Sequence, residues 1–189
     1  MQDYPLEQLY RDNRLNMIHE GTAGIHALTL LGRKVQDGKA QILFDEMRQA
    51  ANEASAVGAD TLSGVPELAS AVLVECAAAL QAAVARAELV TEHLTLTGRD
   101  DRQLALMNAH EYLTLMGHTC VAWMWLKSAS AAARGLAAGA NGAEDEAFYH
   151  GKLHTCAFFF RHELPRVEAS AALLLKLDAT VGEMQSEWF

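Results

Sequence analysis

"PELASAVLVECAAALQAAVARAELVTEHLTLTG", Pro66 to Gly98, is the stretch that decides the fold. Its apolar residues fall at Leu68, Val72, Cys76, Leu80, Ala83, Ala87, Val90 and Leu94, with Val65 just ahead. Steps of three and four put them on one stripe, because an α-helix completes a turn in 3.6 residues. Pro66 suits the first helical turn, where its missing N–H has no intrahelical acceptor to lose. Gly98 predicts the end. Alanine is frequent throughout, and it is the best helix former.

The same spacing recurs downstream at Leu106, Ala109, Leu113, Met116, Cys120 and Trp123, and then at Tyr149, Leu153, Cys156, Phe160, Leu164, Val167, Ala171, Leu174, Val181 and Met184. Asp100 or Asp101 can cap the first of these helices. Asn141-Gly142 marks the turn between them. Pro165 falls inside the last helix and predicts a kink, because it removes a backbone N–H and crowds the preceding turn. Upstream, residues 5 to 13 read as a short helix. Thr22 reads as the N-cap of a helix that opens at Ala23 and runs through "IHALTLLGRKV". Gly38 predicts a break or bend before "AQILFDEMRQAANEASAVG", and Gly58 with "DTLSGVP" a loop. The expected fold is all-α: an up-down four-helix bundle of long helices preceded by a short helical segment.

Composition agrees. Of 189 residues, 51% are hydrophobic and only 3 are proline, so a large helical core is expected, in one sizeable domain or a domain plus a stub of another. A net charge of −9 without a Lys/Arg cluster argues against a nucleic-acid interface, which needs a basic face. Cys76, Cys120 and Cys156 are scattered over apolar stretches, which fits buried thiols in a reducing compartment. "MQDYPLEQLYRD" lacks a basic region followed by an apolar one, so no signal peptide is evident. Glu67, Glu75, Arg86, Lys127 and Arg134 interrupt the apolar stretches, so no membrane span is expected. The protein reads as cytoplasmic.

Most chemistry-bearing patterns are missing. Helical bundles hold di-metal sites through Glu-x-x-His pairs, and no Glu here is followed by His three residues later. Glu146, His150 and His154 are spaced by four, which suits a solvated helix face better than a ligand set. No metal is expected. The cysteines lie on core stripes, where thiols are inert packing. No Gly-rich phosphate loop precedes a Lys-Ser/Thr. What stands out is "YRDNRLNMIHEGTAGIH", Tyr10 to His26, where Glu20-Gly21-Thr22 makes a chain reversal between helices. A carboxylate near a helix N-terminus is what the helix dipole favours, and that alone could explain Glu20. Apolar Leu15, Met17 and Ile18 precede it, so it could also sit in a partly dry pocket, where burial raises a carboxyl pKa toward that of a general base. Gly24 would allow close approach of a ligand.

"LYRDNRLNMIHEGTAGIHALTLLGRKV" resembles the C-terminal region of flavin-dependent acyl-CoA dehydrogenases, in which an Arg-Asp pair leads into an Ile-Tyr/His-Glu-Gly-Thr segment and a final helix. "FYHGKLHTCAFFFRHELP", Phe148 to Pro165, is the part most like the extra C-terminal helical domain of the larger bacterial members. The resemblance implies two parts: residues 1–37, the end of the dehydrogenase helical domain, and residues 38–189, an appended bundle. It implies that Glu20 is the catalytic base, removing the α-proton of an acyl-CoA while the β-hydride passes to FAD, and that its backbone N–H binds the thioester oxygen. It places Thr22, Ala23 and Gly24 against the FAD. The sequence departs from the family pattern at Ala23, commonly a polar residue, and at His26, commonly Gln.

The resemblance further implies an acyl-CoA substrate, an electron acceptor and a homo-oligomer. The chain is expected to be the C-terminal piece of a longer enzyme and inactive alone. Residues 1 to about 35 are then expected to be mobile, repacked on their own bundle or buried in a dimer; an ordered helix with a solvated apolar face would count against a fragment. The competing reading is a non-catalytic helical bundle that serves assembly.

Overall fold

The computed structural model describes residues 6–17, 21–60 and 64–188. Helix α1 spans Leu6–Arg14, α2 Ala23–Thr29, α3 Lys39–Ala59, α4 Glu67–Asp100, α5 Arg102–Leu106, α6 Ala109–Ala137, α7 Ala143–Phe158, α8 Arg166–Leu175 and α9 Thr180–Glu183. No strand occurs among the described residues. The expected four-helix bundle consists of α3, α4, α6 and the pair α7–α8, with α2 laid against α6.

The stretch from Pro66 to Gly98 is a single helix, α4, which runs two residues past Gly98. Val72, Cys76, Leu80, Ala83, Ala87, Val90 and Leu94 are buried as the stripe requires, whereas Leu68 is 48% exposed. A second row, Ala69, Leu73, Ala77, Val84 and Thr91, is buried as well. The reason is position: α3, α6, α7 and α8 all pack on α4, so neighbours cover more than one stripe. By length and apolar composition α4 could cross a membrane. Here it is the central helix of the bundle, and its outward Glu75 takes two hydrogen bonds from Arg161, at 2.8 and 2.6 Å. The hydrogen bond to the guanidinium holds the Glu75 carboxyl below its usual range.

Three helical stretches are interrupted, at Gly38 and Pro165 where the sequence predicts it and after Leu106 where it does not. The segment from 22 to 57 splits at Gly38, which adopts φ 72 and leaves α3 to start afresh. Asp101 does cap the next helix, accepting from Leu104 N–H at 2.9 Å, but α5 stops after five residues and α6 restarts past Asn108. Asn108 donates instead to the Asp178 carbonyl at 2.7 Å and so ties down the C-terminal tail. The last helix breaks at Pro165. A π turn, Phe159–Glu163, precedes it, with the Leu164 N–H bonded to the Phe159 carbonyl at 2.9 Å. The wider turn absorbs the crowding that a proline ring imposes on the turn before it. The predicted stripe ends at Leu174. Leu177 turns left-handed at φ 53, and Val181 and Met184 stay exposed.

Alanine brings the helices close. At Gly135 on α6 a Cβ would lie 2.6 Å from Tyr149 Cζ, so only glycine lets α7 cross here without displacing the ring. Cys76 and Cys156, distant in sequence, meet between α4 and α7 with their sulfurs 3.9 Å apart, both free and buried. The hydrogen bond to Cys76, and then burial, push the Cys156 thiol far up, so Cys156 is the inert packing the sequence suggests.

A buried polar pair joins α4 to α6. Tyr112 Oη lies 2.7 Å from Thr91 Oγ1, which donates to the Ala87 carbonyl at 2.7 Å, so the phenol is the donor between them. Burial pushes the Tyr112 pKa up to about 12. We expect Thr91→Val to destabilise by about 1–3 kcal/mol, because it strands a buried phenol. Tyr112→Phe leaves Thr91 bonded to its own helix and loses about 1 kcal/mol. Urea unfolding of both variants checks the order; equal costs would mean that the phenol is solvated.

Candidate functional site

The segment singled out by the sequence lies at the entrance to α2. Ile18, His19 and Glu20 fall outside the described residues, so the expectation for Glu20 is carried forward on sequence alone. Gly21 adopts φ 90, a region that favours glycine, and a Cβ there would sit 2.8 Å from His26 Nε2. His26, where the family commonly has Gln, thus folds back beside the glycine. Thr22 is the N-cap, as expected, with extended φ −79, ψ 155. Its Oγ1 accepts from Ile25 N–H at 3.4 Å and its carbonyl from His26 N–H at 3.1 Å.

Those bonds leave the N–H groups of Ala23 and Gly24 without an intrahelical acceptor. Residues 21 to 26 are all exposed. A Cβ at Gly24 would meet nothing within 4 Å, so a ligand can approach the backbone closely. A helix entrance with unsatisfied N–H groups and an open glycine leaves room for a hydrogen-bond acceptor. Thr22, Ala23 and Gly24 therefore share one open surface. Among the described residues no group of three or more His, Cys, Asp or Glu converges as a metal site, and Glu146 and His150 only approach to 3.9 Å.

Packing around this entrance is uneven. Ala27, Leu31 and Val35 are buried and seat α2 and the π turn after it, Leu30–Lys34, against α6. This part is repacked on its own bundle, as expected. Residues 6–17 are not. They form an ordered helix and a 3-10 turn with no buried residue, and Leu6, Leu9, Tyr10, Leu15 and Met17 are each more than half exposed. This is the ordered helix with a solvated apolar face that counts against the fragment expectation.

Comparison with known proteins identifies the family. A family model described as "Acetyl-CoA dehydrogenase C-terminal like" matches residues 43–185. The chain is 27% identical over 191 aligned residues to the broad-specificity linear acyl-CoA dehydrogenase FadE5 of Mycobacterium tuberculosis (strain ATCC 25618 / H37Rv), a match that covers 100% of this chain and 30% of that protein. It is 32% identical over 166 residues to the 3-methylmercaptopropionyl-CoA dehydrogenase of Ruegeria pomeroyi (strain ATCC 700808 / DSM 15171 / DSS-3), covering 87% of this chain and 25% of that protein. The chain thus spans less than a third of the length of either relative. It matches the C-terminal region of an acyl-CoA dehydrogenase, and it belongs to the acetyl-CoA dehydrogenase C-terminal-like family.

Proposed function

We propose that this chain works as the C-terminal part of an FAD-dependent acyl-CoA dehydrogenase that oxidises an acyl-CoA to a trans-2-enoyl-CoA. The observation that carries the reading is a match that covers 100% of this chain, at 27% identity, to a protein named as an acyl-CoA dehydrogenase. The division at residues 37 and 38 rests on the left-handed Gly38 and on a family match that begins at residue 43.

In this reading Glu20 takes the α-proton, and its backbone N–H donates to the thioester oxygen. That bond strengthens as negative charge grows on the oxygen, which is how a weakly acidic α-carbon becomes reactive. When bound, FAD supplies the acceptor for the β-hydride. Thr22, Ala23 and Gly24 hold the cofactor's polar edge at the α2 entrance. The electron acceptor, a homo-oligomeric state and a cytoplasmic location belong to the same proposal.

One loop at a helix entrance cannot exclude water or preorganise a site. We therefore expect the purified chain with added FAD to show no acyl-CoA-dependent reduction of an electron-accepting dye. Steady turnover would overturn that. The reading itself is tested by immunoblotting host lysate with an antibody to residues 150–189. A band well above 20.6 kDa is expected, and a band at 20.6 kDa would overturn it. A second reading, a bundle that serves assembly, is favoured by the solvated face of Leu6, Leu9 and Tyr10, since exposed apolar patches mark contact surfaces. It becomes the better reading if the small band is found.

A further inference from the structure

The outward face of α7 has a period of its own. Glu144, Phe148, Gly151, Thr155, Phe158 and His162 follow one another at steps of four and three in alternation, and all six are exposed. That is the spacing of a seam along which two helices pack. Phe148 and Phe158 are 58% and 56% exposed. His162 already lies in the π turn, but its ring stacks on Phe158 with 4.6 Å between centroids, so the seam continues through it. Charge is kept off the middle of the seam. Lys152, beside it, holds its Nζ 5.0 Å from the Phe148 ring centroid and 5.7 Å from that of Trp125, so the ammonium is drawn back toward α6.

Gly151 sits at the centre of this seam. A Cβ there would meet nothing within 4 Å, so nothing inside the chain requires a glycine, although glycine weakens a helix interior. The open position suits the close approach of a second helix. The ends of the seam carry opposite chemistry: Glu144 an acceptor, His162 a ring N–H donor that becomes cationic when protonated. Among the described residues neither makes an ion pair.

We propose that this face of α7 is the contact between two copies of the chain, packed antiparallel about a two-fold axis level with Leu153. The seam is its own complement in that arrangement, as a two-fold contact requires. Phe148 meets the second copy's Phe158, Gly151 meets its Thr155, and Glu144 meets its His162. Each half of the contact then has an aromatic layer, a small-residue layer and a carboxylate–imidazole pair at the rim, and aromatic residues are what interface cores favour. A parallel pair would instead set Glu144 against Glu144 and His162 against His162. The proposal gives the homo-oligomeric state named above a surface and a register, but it uses only the bundle and does not rest on the dehydrogenase chemistry.

The test is sedimentation of the 189-residue chain over a range of concentrations. A dimer of twice the 20.6 kDa monomer is expected, with a dissociation constant of about 10 µM or tighter. Phe148→Glu and Phe158→Glu alter exposed side chains, so circular dichroism should be unchanged while each weakens the dimer by more than about tenfold. Charge reads the register. Glu144→Lys alone sets two basic groups face to face, and His162→Glu alone two acidic ones; each should weaken the dimer about fivefold, and the two combined should restore it. A chain that stays monomeric at about 100 µM overturns the proposal and leaves the face to another part of a longer enzyme. So does a dimer that both phenylalanine variants leave intact, which would move the contact to the exposed face of α1. A combined variant no tighter than the single ones overturns the antiparallel register.

Discussion

Glu20→Gln in the full-length enzyme is expected to lower kcat by roughly 10²–10⁴-fold, the range that a positioned acid–base group contributes. Glutamine keeps the size and the backbone N–H of Glu20 but cannot accept the α-proton. Substrate binding, flavin content and oligomeric state should therefore be unchanged. That combination separates the two readings of the chain: an assembly bundle would tolerate the change without consequence, whereas an enzyme loses its chemical step. The neighbouring geometry sharpens the control. Thr22 caps α2 independently of residue 20, so the helix entrance should survive the substitution. Near-normal turnover would place the base on another carboxylate, outside this chain.

Leu80→Ala should be the most damaging truncation along α4, destabilising by about 2–5 kcal/mol. Leu80 is fully buried on the helix that α3, α6, α7 and α8 all touch, so its surroundings would have to move inward to fill the gap. For a chain of this size each kcal/mol lowers Tm by roughly 2–4 °C. Leu89, on the same helix but 47% exposed, is the comparison: Leu89→Ala should fall within about 0.5 kcal/mol of the parent. Equal costs in urea melts would mean that α4 is not the centre of the bundle.

What can be read from sequence is what is decided locally. The α4 stripe follows from periodicity, and caps such as Thr22 and Asp101 act within three residues, where pattern and structure coincide. The second buried row of α4 is not legible, because Ala69, Ala77 and Thr91 are buried only by the number of neighbours around the helix, which no local pattern encodes. The restart at Asn108 is hidden for a similar reason, since its side chain is claimed by Asp178, seventy residues away. The exposed face of α1 runs against expectation because cover from within the chain is not available to it. At the α2 entrance the backbone of the candidate site is legible in Gly21 and Thr22. The base itself comes from family resemblance, since one carboxylate beside a helix start has an ordinary explanation.

The π turn before Pro165 has a consequence for how this helix can change over evolutionary time. A π turn carries one residue more than the α-helical turn it replaces, and holds it as a bulge within one turn. Each residue of an α-helix advances the side chains by about 100°. Losing one residue between Phe159 and Glu163 would therefore return the turn to α-helical form and leave Val167, Ala171 and Leu174 facing the core. The same deletion within α7 or α8 would swing every later side chain by about 100° and bring charged Arg166 or Glu168 toward the core. Single-residue length changes inside this helix should accordingly collect at the π turn, and elsewhere in the pair be confined to the turn between α6 and α7, around Asn141-Gly142.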